Sequence, residues 1–342
     1  MTKIRYLLNW LTLLLFVILI SGCTTTGKVT EQRITNVIKE SDGKIEDVYF
    51  CPRDDCEAKL ADFIMTAEEY VDCAFYELDL EKVILALKDK KNTGAKVRVV
   101  IDGDNYEEIN NLSFVNYENK SSFMHNKFCV IDGQYVSTGS FNPTYNGANK
   151  NNNNLIILSS LTLAANYETE FEELWRGEYG KGNKTEMPVA YLNGSKVENY
   201  FCPEDNCGEK ITEALKKAEK SIYFLTFSFT HTGIANAIVI KMQDGIEVKG
   251  VFDNKGITGE SSKFDLLKYQ GADIRKDFGN MTMHHKVFII DNMTVITGSF
   301  NPSANADERN DENVLIIQDR DTAEKYLNEF KTVWEIYSKN EN

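Results

Sequence analysis

The string HNKFCVIDGQYVSTGSFNP, beginning at His125, returns as HHKVFIIDNMTVITGSFNP, beginning at His284. The first copy supplies His125, Lys127, Asp132, Gly139, Ser140 and Asn142; the second supplies His284, Lys286, Asp291, Gly298, Ser299 and Asn301. The offset of 159 residues (284 less 125) also lays Asn154 on Asn313, Glu170 on Glu329, Phe171 on Phe330 and Trp175 on Trp334. Upstream, YFCPRDDC at Tyr49 matches YFCPEDNC at Tyr200 with an offset of 151 (200 less 49), so the second copy carries 8 extra residues between the two boxes. Two long copies do not make a solenoid array. They predict two like halves.

Each half reads as buried strands alternating with helices. DVYFC, VDCAFYEL and KVRVVID are strand-like in the first, and SIYFLTFSF and IEVKGVFD in the second. In CEAKLADFIMTAEEY, Leu60, Phe63 and Ile64 share one helical face, and EKVILALKDKKNTG is closed by Gly94. The Phe-rich run Tyr223–Phe229 reads as a core strand. Both halves end in an aromatic helix reaching Trp175 or Trp334. This pattern predicts the α/β class, with sheets covered by helices. The expected organisation is a first repeat over 46–176, a linker over 177–196 and a second repeat over 197–338.

The boxes carry chemistry. Side chains alternate along a strand, so His125 and Lys127 share a face, as do His284 and Lys286. Two imidazoles and two ammonium groups can hold one tetrahedral phosphate. One imidazole then serves as nucleophile and the other as general acid and base. Asn142, Asn301, Ser140 and Ser299 are expected to support the phosphate charge. The glycines before the serines let the backbone approach closely. Asp132 and Asp291 close their strands at a turn and complete the candidate catalytic set, with an ordering role expected. No acidic ladder or His/Asp cluster points to a metal, and no cofactor is expected.

The two HxKxxxxD boxes with GSFN tails resemble the phospholipase D superfamily, over roughly residues 46–338. That resemblance implies two α/β sandwich lobes related by a pseudo-twofold, with the site at their interface. It also implies a covalent phosphohistidine. The superfamily places a carboxylate where this chain has Glu312 in one half and Asn153 in the other. Family resemblance makes that contact a cross-lobe one, pairing Glu312 with His125. His125 is then expected to be the nucleophile and His284 the acid. His231, in FTHTG, is read as an exposed or core histidine with a substrate contact open.

The first residues point to export. Lys3 and Arg5 precede YLLNWLTLLLFVILI, and ISGC resembles a lipobox ending at Cys23. The expectation is a signal peptide over 1–22, a lipidated Cys23, a tether over 23–45 and an exported, membrane-anchored lipoprotein outside the cytoplasm. A plain transmembrane anchor is the other reading. The formal charge of −14 becomes −16 once Lys3 and Arg5 are removed, which disfavours a general polyanion-binding surface. Cys51–Cys56 and Cys202–Cys207 are expected as disulfides, with a shared four-thiolate zinc site as the competitor. Cys73 and Cys129 read as small buried hydrophobes.

The leading expectation is a monomeric phosphodiesterase acting on phospholipid. An extracytoplasmic metal-independent endonuclease and a cardiolipin synthase-like phosphatidyl transferase use the same motif and stand as alternatives. An idle scaffold lipoprotein fits poorly with complete His and Lys sets in both halves.

Overall fold

The central strands are buried on both faces, and alternation divides each between two cores. In KFCVI, Phe128 and Val130 join the core between the halves, whereas Cys129 and Ile131 join the outer core of the first half. In KVFII, Val287 and Ile289 join the same central core, and Phe288 and Ile290 the outer core of the second half. Near-continuous apolar runs are what strands covered on both sides require.

The computed structural model describes residues 42–338, apart from 107, 108, 110, 118–121 and 278. The signal segment 1–22, Cys23 and the tether up to residue 41 lie outside the described residues. Among the described residues no helix is long and apolar enough to cross a membrane.

The first half comprises β1 (Gly43–Cys51), α1 (Cys56–Met65), β2 (Tyr70–Phe75), α2 (Glu81–Asn92), β3 (Lys96–Ile101), β4 (Val115–Tyr117), β5 (Lys127–Ile131), β6 (Tyr135–Gly139), α3 (Tyr145–Asn149), β7 (Asn151–Ser160) and α4 (Leu161–Trp175). The second comprises β8 (Val189–Leu192), β9 (Ser195–Cys202), α5 (Cys207–Lys216), β10 (Ser221–Thr226), α6 (Thr232–Gln243), β11 (Glu247–Asp253), α7 (Phe264–Tyr269), β12 (Asp273–Asp277), β13 (Thr282–Met283), β14 (Lys286–Ile290), β15 (Thr294–Gly298), α8 (Ala304–Glu308), β16 (Glu312–Gln318) and α9 (Arg320–Ser338). The sheets run β1-β7-β6-β5-β2-β3-β4 and β12-β11-β10-β14-β15-β16-β9-β8, the same order read from opposite ends. The fold is therefore two matching α/β lobes.

Helix α1 buries Leu60, Phe63 and Ile64 against the outer face, as its spacing predicts. Helices α4 and α9 pack on the inner faces and touch the other lobe's strands β9 and β1 respectively. Tyr167, Phe171, Tyr326 and Phe330 from these helices fill the central core. Burying one such side chain contributes about 1.5–3 kcal/mol.

Two expectations need correction. The segment 177–196 is more than a linker: it contains β8 and the start of β9, which pair antiparallel at the edge of the second sheet. Cys73 and Cys129 are not separate buried thiols. They face each other in the antiparallel β2–β5 register and form a disulfide. The structure also joins Cys51 to Cys56 and Cys202 to Cys207. Cys51 lies opposite Asn153 on β7, and Cys202 lies opposite Glu312 on β16, so each disulfide loop abuts a strand that carries a histidine partner.

Candidate active site

The two boxes meet across the lobe interface. Each histidine precedes its strand, and its backbone is bound to the other lobe. His125 N donates to Asp311 O at 2.9 Å, and His284 N donates to Asn152 O at 3.0 Å. Strand β13 continues this by pairing in parallel with Asn151 and Asn152 of β7.

The side chains follow the same cross-lobe rule. His125 Nδ1 lies 2.8 Å from Glu312 Oε2, and His284 Nδ1 lies 2.8 Å from Asn153 Oδ1. Ser299 Oγ donates to the same Glu312 oxygen at 2.6 Å while accepting from Asn313 N at 2.9 Å. An oxygen already receiving a hydroxyl proton acts as acceptor toward His125, so Nδ1 carries the imidazole proton. Asn153 is oriented by donating from Nδ2 to Gly147 O at 3.0 Å and by receiving Ser140 Oγ at 3.1 Å. His284 is therefore also protonated at Nδ1. Both histidines line one cleft, and this tautomer leaves Nε2 as their reactive nitrogen there.

Lys127 and Lys286 lie behind the histidines, each donating to the carbonyl oxygen of its own box's histidine at 2.6 and 2.7 Å. Tyr76 packs its ring 4.9 Å from His125 with Lys127 Nζ 5.2 Å away; Phe227 packs 5.2 Å from His284 with Lys286 Nζ 5.5 Å away. Burial, followed by the two lysines, holds both imidazoles well below their ordinary range. Burial lowers Lys127 to about 7 and, with Lys127 contributing, holds Lys286 well below its ordinary range. Burial raises Glu312 to about 8 against the pull of Lys127. Burial at the site thus disfavours charge of either sign.

The cleft has a volume of about 830 Å³ and is lined by both histidines, Asn142 and Asn301. The buried Oδ1 atoms of these asparagines find no hydrogen-bond partner among the described residues.

Other sequence expectations are corrected here. Asp132 and Asp291 are not at the site. Asp132 accepts the backbone N–H groups of Glu68, Glu69 and Tyr70 at 2.7–2.8 Å. Asp291 accepts those of Glu219, Lys220 and Ser221 at 2.7–2.9 Å. Each stands five residues beyond its lysine along an extended strand, about 17 Å away. Their role is to hold the turn entering β2 or β10. Ser140 and Ser299 are fully buried and orient Asn153 and Glu312 rather than meeting phosphate. Gly139 (φ 133°) and Gly298 (φ 137°) lie where a Cβ would come 2.4 or 2.2 Å from the carbonyl oxygen of Asn154 or Asn313. Their close approach is to backbone, not phosphate. His231 caps α6 by accepting from Ile234 N at 3.2 Å, with its other nitrogen 3.1 Å from Asp307. Phe227 leaves the core strand to wall the cleft.

A buried layer beneath the histidines was missed by sequence reasoning. The middle residue of each box, Asn126 or His285, bonds Glu170 (2.9 Å) or Glu329 (3.1 Å) of its mate helix. Across the interface, Asn313 Nδ2 donates to Asn126 at 2.8 Å, and Asn154 Nδ2 lies 3.2 Å from His285 Nδ1. Arg53 completes the second arm at Glu329. The preserved Asn154/Asn313 and Glu170/Glu329 pairs were the available signal.

The chain is similar to known proteins. The family description "Cardiolipin synthase, PLD-like domain" matches residues 60–175 and 211–334. A phospholipase D of Rickettsia conorii is 37% identical over 139 residues, covering 41% of this chain and 70% of that protein. A mitochondrial cardiolipin hydrolase of Xenopus tropicalis is 30% identical over 153 residues, covering 44% of this chain and 71% of that protein. The crystal structure of phosphatidylserine synthase from Haemophilus influenzae superposes with a TM-score of 0.69 over 90% of both chains at 12% identity, a likeness of fold.

Proposed function

We propose that this chain, which belongs to the phospholipase D superfamily and is a phosphodiesterase, hydrolyses phospholipids to release the head-group alcohol through a phosphohistidine. The observation that carries this reading is the pair of histidines whose Nδ1 atoms are held from opposite lobes while both rings line one cleft.

His125 Nε2 attacks phosphorus as the bond to the head-group oxygen breaks. His284, charged once the anionic substrate is bound, gives its Nε2 proton to that oxygen. Neutral His284 then takes a proton from water, whose oxygen attacks phosphorus as the P–Nε2 bond breaks. The phosphate monoester leaves and His125 is regenerated. Glu312 favours His125 as nucleophile because its carboxylate stabilises the positive charge arising on the ring. Lys127, Lys286, Asn142 and Asn301 are assigned to the non-bridging oxygens. Among the described residues no three His, Cys, Asp or Glu converge as metal ligands.

We further propose that the chain is exported, lipidated at Cys23 and active as a monomer, since one chain supplies both half-sites. Mass spectrometry of the mature N-terminus tests the anchor, and sedimentation of the enzyme tests the monomer.

The test of activity compares short-chain phosphatidylcholine, phosphatidylglycerol and single-stranded DNA in excess chelator, with His125→Ala as control. Head-group release from lipid that persists in chelator is expected, and adding glycerol as acceptor separates hydrolysis from transfer. DNA cleavage without lipid turnover would assign the site to the nuclease alternative.

A further inference from the structure

The duplication turns the cleft wall into its own control. Most facing positions agree between lobes: Asn142 mates with Asn301, Thr144 with Ser303 and Asn146 with Asn305. Such matched groups cannot tell one arm of a phosphodiester from the other. Discrimination must come from the positions that differ.

Lys150 of the first lobe also lines the cleft, its carbonyl accepting from Thr282 N beside the second histidine, and the other differences share one sense. Glu77 beside the first histidine faces the cleft where the second lobe has Ser228. Lys255 lines the cleft, and its mate in the first lobe is Asp104. Phe123, 43% exposed, stands where the second lobe has Thr282, and its ring lies 5.6 Å from Tyr76. Glu77 directly follows Tyr76, whose ring lies 4.9 Å from His125. The first-lobe end is therefore aromatic and acidic; the second-lobe end is basic and hydroxylic.

A carboxylate at one end of a phosphate-binding cleft penalises any substrate that brings a second phosphate there. In a polynucleotide every link adjoining the reacting one carries such a phosphate. A phosphodiester with an uncharged arm at that end meets Tyr76 and Phe123 without that penalty. We propose that Glu77 is a specificity-determining residue that excludes a second phosphate from the first-lobe end of the cleft, so that the site rejects polynucleotides. This rests on the phosphodiester chemistry proposed above and narrows its substrate class.

The experiment measures kcat/KM of the full chain for bis(p-nitrophenyl) phosphate, a single-stranded thymidine oligonucleotide and short-chain phosphatidylglycerol. The variants are Glu77→Ser, which installs the residue of the other lobe, and Glu77→Gln, which keeps shape. The informative quantity is the oligonucleotide-to-bis(p-nitrophenyl) phosphate ratio, because any effect of Glu77 through Lys127 acts on both substrates. Both variants are expected to raise this ratio roughly tenfold at low salt, the effect of removing one partly screened like-charge contact, and less at high salt. An unchanged ratio, or a gain insensitive to salt, overturns the assignment of Glu77. Absence of phosphatidylglycerol turnover by the wild type overturns the lipid reading instead and leaves the ratio interpretable.

Discussion

Replacing Glu312 with Gln would give both catalytic histidines the same kind of partner. Glu312 is fully buried, with Oε2 2.8 Å from His125 Nδ1 and 2.6 Å from Ser299 Oγ. Glutamine keeps an oxygen acceptor in place, so geometry is largely retained and charge alone is removed. A hydrogen bond to a charged group contributes about 1.5–3 kcal/mol and a neutral one about 0.5–1.5 kcal/mol. The difference of about 1–2 kcal/mol corresponds to a slowing of roughly 5–30-fold in the step that makes His125 positive. Burial raises Glu312 to about 8, and a protonated carboxyl resembles a carboxamide. The penalty should therefore be small well below that pH and grow as pH rises through it. Quenched-flow measurement of phosphoenzyme formation, with a good leaving group at saturating substrate, reads this step. Unaltered formation in Glu312→Gln with slowed release of the phosphate monoester would refute the argument. Phosphate mapped to His284 in His125→Ala, with none on His125 in His284→Ala, would reverse the two roles.

Burial brings Lys127 to about 7, so it is an ammonium below that pH and a neutral amine above it. In a pH profile, kcat/KM is expected to fall as pH rises through about 7, and Lys127→Arg should flatten that limb. Asp132→Ala and Asp291→Ala remove acceptors from three backbone N–H groups each and should lower stability by about 1–3 kcal/mol in urea titrations, without the chemical defect of the histidine variants. Replacing Cys73 and Cys129 together with Val should cost about 2–4 kcal/mol by the same titration, because the bridge closes a long loop.

The sequence patterns made the duplication, the histidine and lysine positions and the α/β class legible, because motif spacing and strand period are local. The pairing of Cys73 with Cys129 depends on which strands become neighbours and in what register, and 56 residues separate the two. Asp132 travels with the motif and orders a turn as expected, but only the strand's length shows that it lies at the opposite end from the chemistry. The partners of Asn126 and His285, Glu170 and Glu329, lie 44 residues downstream on helices, beyond the reach of motif spacing. Tyr76 and Phe227 follow strand ends, where alternation no longer says which way a side chain turns. Strand β8 is only four residues long, Val189–Leu192, and sits in a stretch rich in Gly and Lys, too short to show a period.

Each histidine takes its partner from the opposite lobe, and this bears on how such a site diversifies. In a symmetric pair of separate single-repeat chains, one codon would specify both partners, and any change would reach both histidines at once. Two copies joined in one chain release that constraint. Glu312 and Asn153 occupy equivalent positions yet differ in charge, so one ring can be specialised without altering the other. Covalent linkage here separates two tasks that a homodimer would have to perform with identical parts.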